Sequence, residues 1–129
     1  MTGGDTPRRT RGEQAYHRGL SAEDIVARHY AERGYEILER RWRGAGGEID
    51  LIFRHGKWEA AEIVFVEVKA SKTHARAGAA LGARQIAKLC ASAEDYIGRL
   101  PSGLLTPMRI DVALVNGAGE VEVLENALM

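Results

Sequence analysis

Residues 47–69 read GEIDLIFRHGKWEAAEIVFVEVK, and this stretch decides the fold. Two strand-like runs, at 48–53 and 61–69, flank the turn-forming residues 54–57, so the pattern predicts a β-hairpin. The second run is apolar on both faces at 63–66, which is typical of a strand covered from both sides. We therefore expect the second strand of the hairpin in the middle of a sheet.

Helices and further strands are predicted on either side of this hairpin. They are, in chain order, a helix at 16–33 capped by Gly34, a strand at 35–39, a loop at 44–47, a loop at 70–80, a helix with apolar residues from Ile86 to Ile97, and strands at 108–115 and 120–125. The order α-β-β-β-α-β-β predicts an α/β fold in which a mixed central sheet is flanked by helices.

The chain length of 129 residues fits a single domain, which we assign to residues 15–129. Residues 1–14 contain arginine, glycine and threonine without an apolar run, so we expect a flexible basic tail and not a signal peptide. No stretch approaches the roughly 20 apolar residues of a membrane-spanning helix, so no membrane partner is expected. The single cysteine, Cys90, excludes an internal disulfide and suits the cytoplasm, the location we expect.

Three polar residues lie towards one end of the predicted hairpin. Side chains alternate between the two faces of a strand, so Glu67 and Lys69 share a face, about 6–7 Å apart along the backbone. Asp50 lies on the partner strand, where cross-strand neighbours come close. The pattern predicts that two carboxylates and a lysine converge at one end of a buried sheet.

Converging carboxylates repel each other and lose hydration, so a positive charge must offset them. A divalent cation does this best, and an all-oxygen ligand set favours Mg²⁺ or Mn²⁺. The Val68 carbonyl, flanked by both polar side chains of its strand, is an additional candidate ligand. Such an ion polarises a phosphoryl oxygen and activates a bound water, which Lys69 can orient. A structural salt bridge between Lys69 and Asp50 or Glu67 is the alternative.

The charged residues predict a local phosphate-binding face. Formal net charge is zero, which argues against a protein that simply coats DNA. However, residues 69–93 contain basic side chains and no acidic one, and a second basic run occupies residues 40–43. The candidate nucleic-acid contacts are Lys72, Arg76, Arg84, Lys88, Arg41 and Arg43. A solvated helix face is the alternative.

Several short motifs, taken in order, resemble the PD-(D/E)xK, or restriction-endonuclease-like, superfamily, and more closely the YraN-like family of predicted bacterial nucleases. The matching pieces are Gly19 with Glu23 and Ala27, GYEIL at 34–38, GEIDLI at 47–52, VFVEVK at 64–69 and RIDV at 109–112. The resemblance covers residues 18–115, with Ile49 replacing the proline of the superfamily motif.

The resemblance implies a restriction-endonuclease-like αβββαβ core, Mg²⁺ at Asp50 and Glu67, and Lys69 in the catalytic position. Similarity to archaeal Holliday-junction resolvases implies branched or structured DNA as the substrate. We therefore expect a magnesium-dependent endonuclease that hydrolyses phosphodiester bonds of DNA. A nucleic-acid-binding module that keeps this fold without cleaving is the alternative, and the sequence leaves both a monomer and a homodimer open.

Two further residues are candidates for the catalytic site. Glu23 lies on the inward stripe of the first helix, and together with the resemblance this predicts a further site carboxylate. A buried partner for an arginine is the alternative for Glu23. Gln85, on the second helix, is predicted to contact the active site or a phosphate, and a surface position is its alternative.

Overall fold

The computed structural model describes residues 20–57, 60–79 and 81–127, so the predicted tail (1–14) and the predicted helical residues 16–19 lie outside it. The helices and strands are α1 (Ala22–Ala31), β1 (Glu36–Gly44), β2 (Gly47–His55), β3 (Glu62–Ala70), α2 (His74–Ala79), α3 (Ala83–Gly98), β4 (Met108–Val115) and β5 (Val121–Leu124), with a short 3-10 helix at Gly103–Leu105. No described helix is both long enough and apolar enough to cross a membrane.

All five strands form one sheet in the order β1-β2-β3-β4-β5. The β3–β4 pair is parallel and the other three pairs are antiparallel. Residues 63–67 of β3 are buried, because β3 is the central strand and helices cover both faces. The predicted α/β class, with a mixed central sheet flanked by helices, is confirmed, and the arrangement is consistent with an αβββαβ core.

Helix α1 covers one face of the sheet and α3 covers the other. The core under α1 combines its buried residues with strand residues that include Leu51, Phe53, Val64, Val66, Ala113 and Val115. The core under α3 combines Leu89, Ala93 and Ile97 with Ile49, Ile52, Ile63, Phe65 and Ile110. Helix α2 packs through Ala77 against Val112 and Leu114. Because Val112 and Leu114 alternate in step with Ile110, α2 and α3 share one side of the sheet.

The element boundaries differ from the predicted ones by a residue or two at several ends and more substantially at three places. Helix α1 begins at Ala22, because the Ser21 hydroxyl accepts the Asp24 N–H at 3.1 Å and caps the helix. The prediction that residues 20 and 21 are helical was wrong. Strand β1 continues to Gly44, which pairs with Gly47, and the predicted loop at 44–47 shrinks to a two-residue turn. The predicted loop at 70–80 contains α2, which the Thr73 hydroxyl caps by accepting the Arg76 N–H at 3.1 Å.

A buried charge network ties β4 to α1. Asp111, which is fully buried, accepts hydrogen bonds from the Tyr30 hydroxyl at 2.7 Å and from the Arg109 guanidinium at 3.0 Å. Arg109 also donates to Glu62 at 3.0 Å and to the Tyr35 hydroxyl at 2.7 Å. These hydrogen bonds compensate the negative charge of Asp111, which would otherwise be very costly to bury, so the role of the network is structural.

Gly46, in the β1–β2 turn, lies against the backbone of α3. A Cβ atom at this position would overlap the Lys88 carbonyl oxygen and approach the Ala91 Cβ to 2.9 Å. Because the close contact is with helix backbone, no side-chain movement can relieve it. The turn can therefore rest on the helix only if residue 46 is glycine.

We predict that Gly46→Ala lowers the free energy of unfolding by roughly 1–3 kcal/mol, the usual cost of overpacking. Urea denaturation of the purified variant measures this change. Gly98→Ala is the matched control, because a Cβ at Gly98, the last residue of α3, meets nothing within 4 Å. An unchanged free energy for Gly46→Ala would show that the turn does not rest on the helix.

Candidate functional site

Asp50 and Glu67 lie side by side on adjacent strands. The β2–β3 ladder ends at the Leu51–Val66 pair, and just beyond it the Asp50 and Glu67 carboxylates interact directly. Asp50 Oδ2 accepts the backbone N–H of Val68 at 2.7 Å, which holds its carboxylate against β3. Glu67 is only 6% exposed. The hairpin register thus brings the two predicted carboxylates together on one face.

The electrostatic state of Glu67 reflects this crowding. Burial, followed by the proximity of Asp50, raises the pKa of Glu67 to about 7. Lys69 acts in the opposite direction, because its ammonium nitrogen lies 3.2 Å from Glu67 Oε2 and favours the ionised carboxylate. The cluster therefore has two carboxylates for one ammonium group, which contacts Glu67, so its formal charges keep a deficit of positive charge.

Gln85 completes the cluster from α3. Its side-chain amide donates a hydrogen bond to Oε2 of Glu67, the oxygen that also faces Lys69. Gln85 is half-buried in the first turn of α3, so it belongs to the site and does not point into solvent. The structure thus brings together Asp50, Glu67, Lys69 and Gln85, which come from β2, β3 and α3.

The donor set of this cluster fits a hard divalent cation. The hydrogen bonds and ion pair from nitrogen atoms use Oδ2 of Asp50 and Oε2 of Glu67, and each carboxylate has a second oxygen that can serve as a ligand. Neighbouring carboxylate oxygens are the ligands that Mg²⁺ and Mn²⁺ prefer. The Val68 N–H is used by Asp50, and a ligand role for the Val68 carbonyl stays a prediction.

Glu23 is placed beside an arginine instead of beside the pair. Arg41 Nε donates to Glu23 Oε1 at 3.2 Å, and the carboxylates of Glu23, then Glu48 and Asp50, raise the pKa of Arg41. Within residues 20–57, 60–79 and 81–127, no three carboxylate, histidine or cysteine side chains form a metal-binding group. Glu23 therefore contacts Arg41, whose pKa Asp50 also influences. Arg41 adopts a left-handed backbone conformation with φ of 51°.

The remaining basic candidates lie on α2, on α3, on β1 and in the segment that follows β3. Lys72, Arg76, Arg84 and Lys88 are exposed, and none of them forms an ion pair with another described residue. Arg84 directly precedes Gln85, and Lys88 follows one turn later on α3. Arg43 is also exposed and lies on β1 opposite Glu48. Unpaired cations beside a carboxylate pair form a surface that attracts phosphates.

Comparison with known proteins shows which family the chain is related to. The family described as Uncharacterised protein family UPF0102 matches residues 22–115. This chain belongs to the UPF0102 family. A UPF0102 protein of Ruegeria pomeroyi is 52% identical over 118 residues, which cover 92% of this chain and 93% of the relative. A UPF0102 protein of Roseobacter denitrificans is 49% identical over 91% of this chain and 88% of the relative.

A third relative, a UPF0102 protein of Cereibacter sphaeroides, is 48% identical over 90% of this chain and 96% of the relative. The part of this UPF0102 chain that matches the family contains every residue of the cluster, together with α1 and α3. The relation to a YraN-like bacterial family, predicted from the sequence, is confirmed at the level of the family.

Two polar residues of α3 near the site were missed in the sequence analysis. Ser92 and Asp95 hydrogen-bond to the β1–β2 turn of the UPF0102 fold, three residues and more before Asp50. Ser92 is 1% exposed although it is polar. A serine beside the buried positions 89 and 93 of a helix is a signal for a specific buried hydrogen bond, but its partner cannot be read from the sequence.

We predict that Asp50→Asn leaves the stability of the metal-free protein equal or higher, by up to about 2 kcal/mol. The substitution removes one of two adjacent negative charges, while the asparagine carbonyl can still accept the Val68 N–H. Urea denaturation in the presence of a chelator at pH 8 measures the change. Asp24→Asn is the control, because Asp24 is half-exposed and pairs with Arg40. A clear loss of stability for Asp50→Asn would favour a structural salt-bridge role.

Proposed function

We propose that this UPF0102 protein is a magnesium-dependent nuclease of the PD-(D/E)xK type that hydrolyses phosphodiester bonds of DNA. The observation that carries the proposal is the convergence of Asp50, Glu67 and Lys69 at the end of the central hairpin, with a deficit of positive charge. A salt bridge alone would require one carboxylate for one lysine. Lys69 already pairs with the buried Glu67. A second carboxylate beside it, that of Asp50, is costly unless a further cation offsets its charge.

Asp50 and Glu67 are the residues that would hold Mg²⁺ or Mn²⁺. The bound ion would supply Lewis-acid polarisation of a phosphoryl oxygen and a lowered pKa for an attacking water. Lys69 presents an ammonium group beside the same carboxylates, where it can stabilise negative charge that develops on the phosphate. Gln85 orients Glu67 through its amide, so that one carboxylate oxygen of Glu67 stays directed at the cation.

The basic residues around the site account for how DNA would be held. Arg84 and Lys88 on α3 flank Gln85, and Lys72 and Arg76 lie on the segment that follows β3. Side chains of this kind bind phosphates without reading base edges. The substrate is therefore recognised by shape and charge, which agrees with branched or structured DNA, the substrate that the sequence resemblance implies.

A second function is supported by a specific observation. The described residues offer two carboxylates and no third ligand side chain, which is a small set for a tightly bound ion. A DNA-binding module that keeps the fold and the basic face without cleaving would fit this geometry. Cleavage and binding must therefore be measured separately.

We predict that the purified protein cleaves branched or flapped DNA with Mn²⁺ or Mg²⁺ and that a chelator abolishes cleavage. Asp50→Asn and Lys69→Ala should each lower the rate at least about a hundredfold, the scale of removing one group that stabilises the transition state. A gel assay on branched, flapped, single-stranded and linear substrates measures this. Asp24→Asn should cleave at the wild-type rate. DNA binding without cleavage under all of these conditions would favour the binding module.

We also predict that substitution of the unpaired basic residues weakens DNA binding for every base sequence. Each true phosphate contact adds roughly 0.7–0.9 to the slope of log affinity against log salt concentration. Arg84→Ala and Lys88→Ala should each flatten this slope by about that amount in fluorescence anisotropy titrations. Arg54→Ala is the control, because Arg54 pairs with Glu36 at the opposite end of β2. Unchanged slopes for Arg84→Ala and Lys88→Ala would mean that this face is only solvated.

A further inference from the structure

The β1–β2 turn is attached to α3 by hydrogen bonds from a buried serine. The Ser92 hydroxyl accepts the Gly46 N–H at 2.9 Å and donates to the Gly47 carbonyl at 2.8 Å. The hydroxyl therefore acts as an acceptor for the last turn residue and as a donor to the first residue of β2. With Ser92 only 1% exposed, water cannot readily replace either bond.

Two neighbouring contacts fix the same turn. Asp95 Oδ2, one helical turn after Ser92, accepts the Ala45 N–H at 2.9 Å. Gly46 rests on the backbone of α3, where a side chain would overlap the Lys88 carbonyl. The two turn residues and the first residue of β2 are thus held by one helix, and the turn has a defined distance from that helix.

The same helix also contacts the carboxylate pair. Gln85 donates to Glu67, and Ser92 lies seven residues later, about two helical turns along the same face. Strand β2 starts at Gly47, which Ser92 holds, and reaches Asp50 three residues later. Helix α3 therefore holds the strand of Asp50 at one point and the side chain of Glu67 at another.

We propose that Ser92 is a positioning residue that sets the approach of Asp50 to Glu67 by fixing the β1–β2 turn to α3. The inference rests on the proposed function, because it assigns to Ser92 an effect on the affinity of the Asp50–Glu67 pair for a divalent cation. Two carboxylates bind one small ion well only when their oxygens keep a nearly fixed separation, which Mg²⁺ demands more strictly than Ca²⁺. Without the Ser92 bonds, the start of β2 loses the attachment to α3 that lies nearest to Asp50.

Ser92 acts differently from an ordinary core residue of α3. Ile97, on the same helix, is buried among apolar side chains, and its side chain has no group that can hydrogen-bond to the turn. Truncation of Ile97 to valine should lower the stability of the fold without changing the geometry of the carboxylate pair. Truncation of Ser92 to alanine should change both, so the two variants separate positioning from stability.

The test is the affinity for Mn²⁺ alone, measured by titration calorimetry at a temperature at which circular dichroism shows every variant to be folded. We expect Ser92→Ala to weaken Mn²⁺ binding about tenfold, the lower end of the effect of removing groups that orient metal ligands. Ile97→Val should bind Mn²⁺ as the wild type does. Equal Mn²⁺ affinity for Ser92→Ala and Ile97→Val would overturn the inference and leave the proposed function intact.

A second pair of variants covers the case in which Ser92→Ala does not fold. Asp95→Ala removes the Ala45 hydrogen bond at a partly exposed position and should weaken Mn²⁺ binding about threefold, less than the loss of a group that directly orients a ligand. Arg99→Ala is its control, because it removes the 3.1 Å ion pair with Asp95 but leaves Asp95 in place to hold the turn. Equal affinities for these two variants overturn the inference. A wild-type protein without Mn²⁺ affinity would overturn both the inference and the proposed function.

Discussion

The repulsion between Asp50 and Glu67 is the constraint on which the rest of this structure depends. Two carboxylates on adjacent strands, one of them almost fully buried, raise the free energy of the folded protein unless a positive charge lies near them. Lys69 supplies one such charge at 3.2 Å from Glu67. The proposed role of the pair as a site for a divalent cation, and with it the proposed nuclease chemistry, rests on the charge that remains to be offset.

The fold keeps this unfavourable pair in place by fixing its surroundings. Strand β3 is buried between β2 and β4, so the position of Glu67 is set by the hydrophobic cores on both faces of the sheet. Helix α3 contacts the pair through Gln85 and contacts the start of β2 through Ser92. Exposed basic side chains on α2 and α3 add a surface that attracts phosphates.

The central hairpin could be predicted from the sequence because period-two alternation and a turn signal are local properties of the chain. They predicted that Glu67 and Lys69 share a face and that Asp50 converges with them from the partner strand, and in the structure Glu67 contacts Lys69 and interacts with Asp50. The helix at 74–79 was missed, because the burial of Ala77 against β4 decides it and no local periodicity reveals that contact. The Glu23–Arg41 pair and the Ser92 bonds join residues 18 to 46 positions apart, so only tertiary packing determines them.

Crystallography of the protein soaked in Mn²⁺, with data collected at the manganese absorption edge, tests the central claim most directly. We predict one anomalous difference peak between Asp50 and Glu67, roughly 2.0–2.3 Å from an oxygen of each, with Lys69 nearby. The Asp50→Asn variant, treated in the same way, should show no peak there. A map without a peak at this position in the wild type, in which Glu67 bonds only to Lys69 and Gln85, would contradict the account.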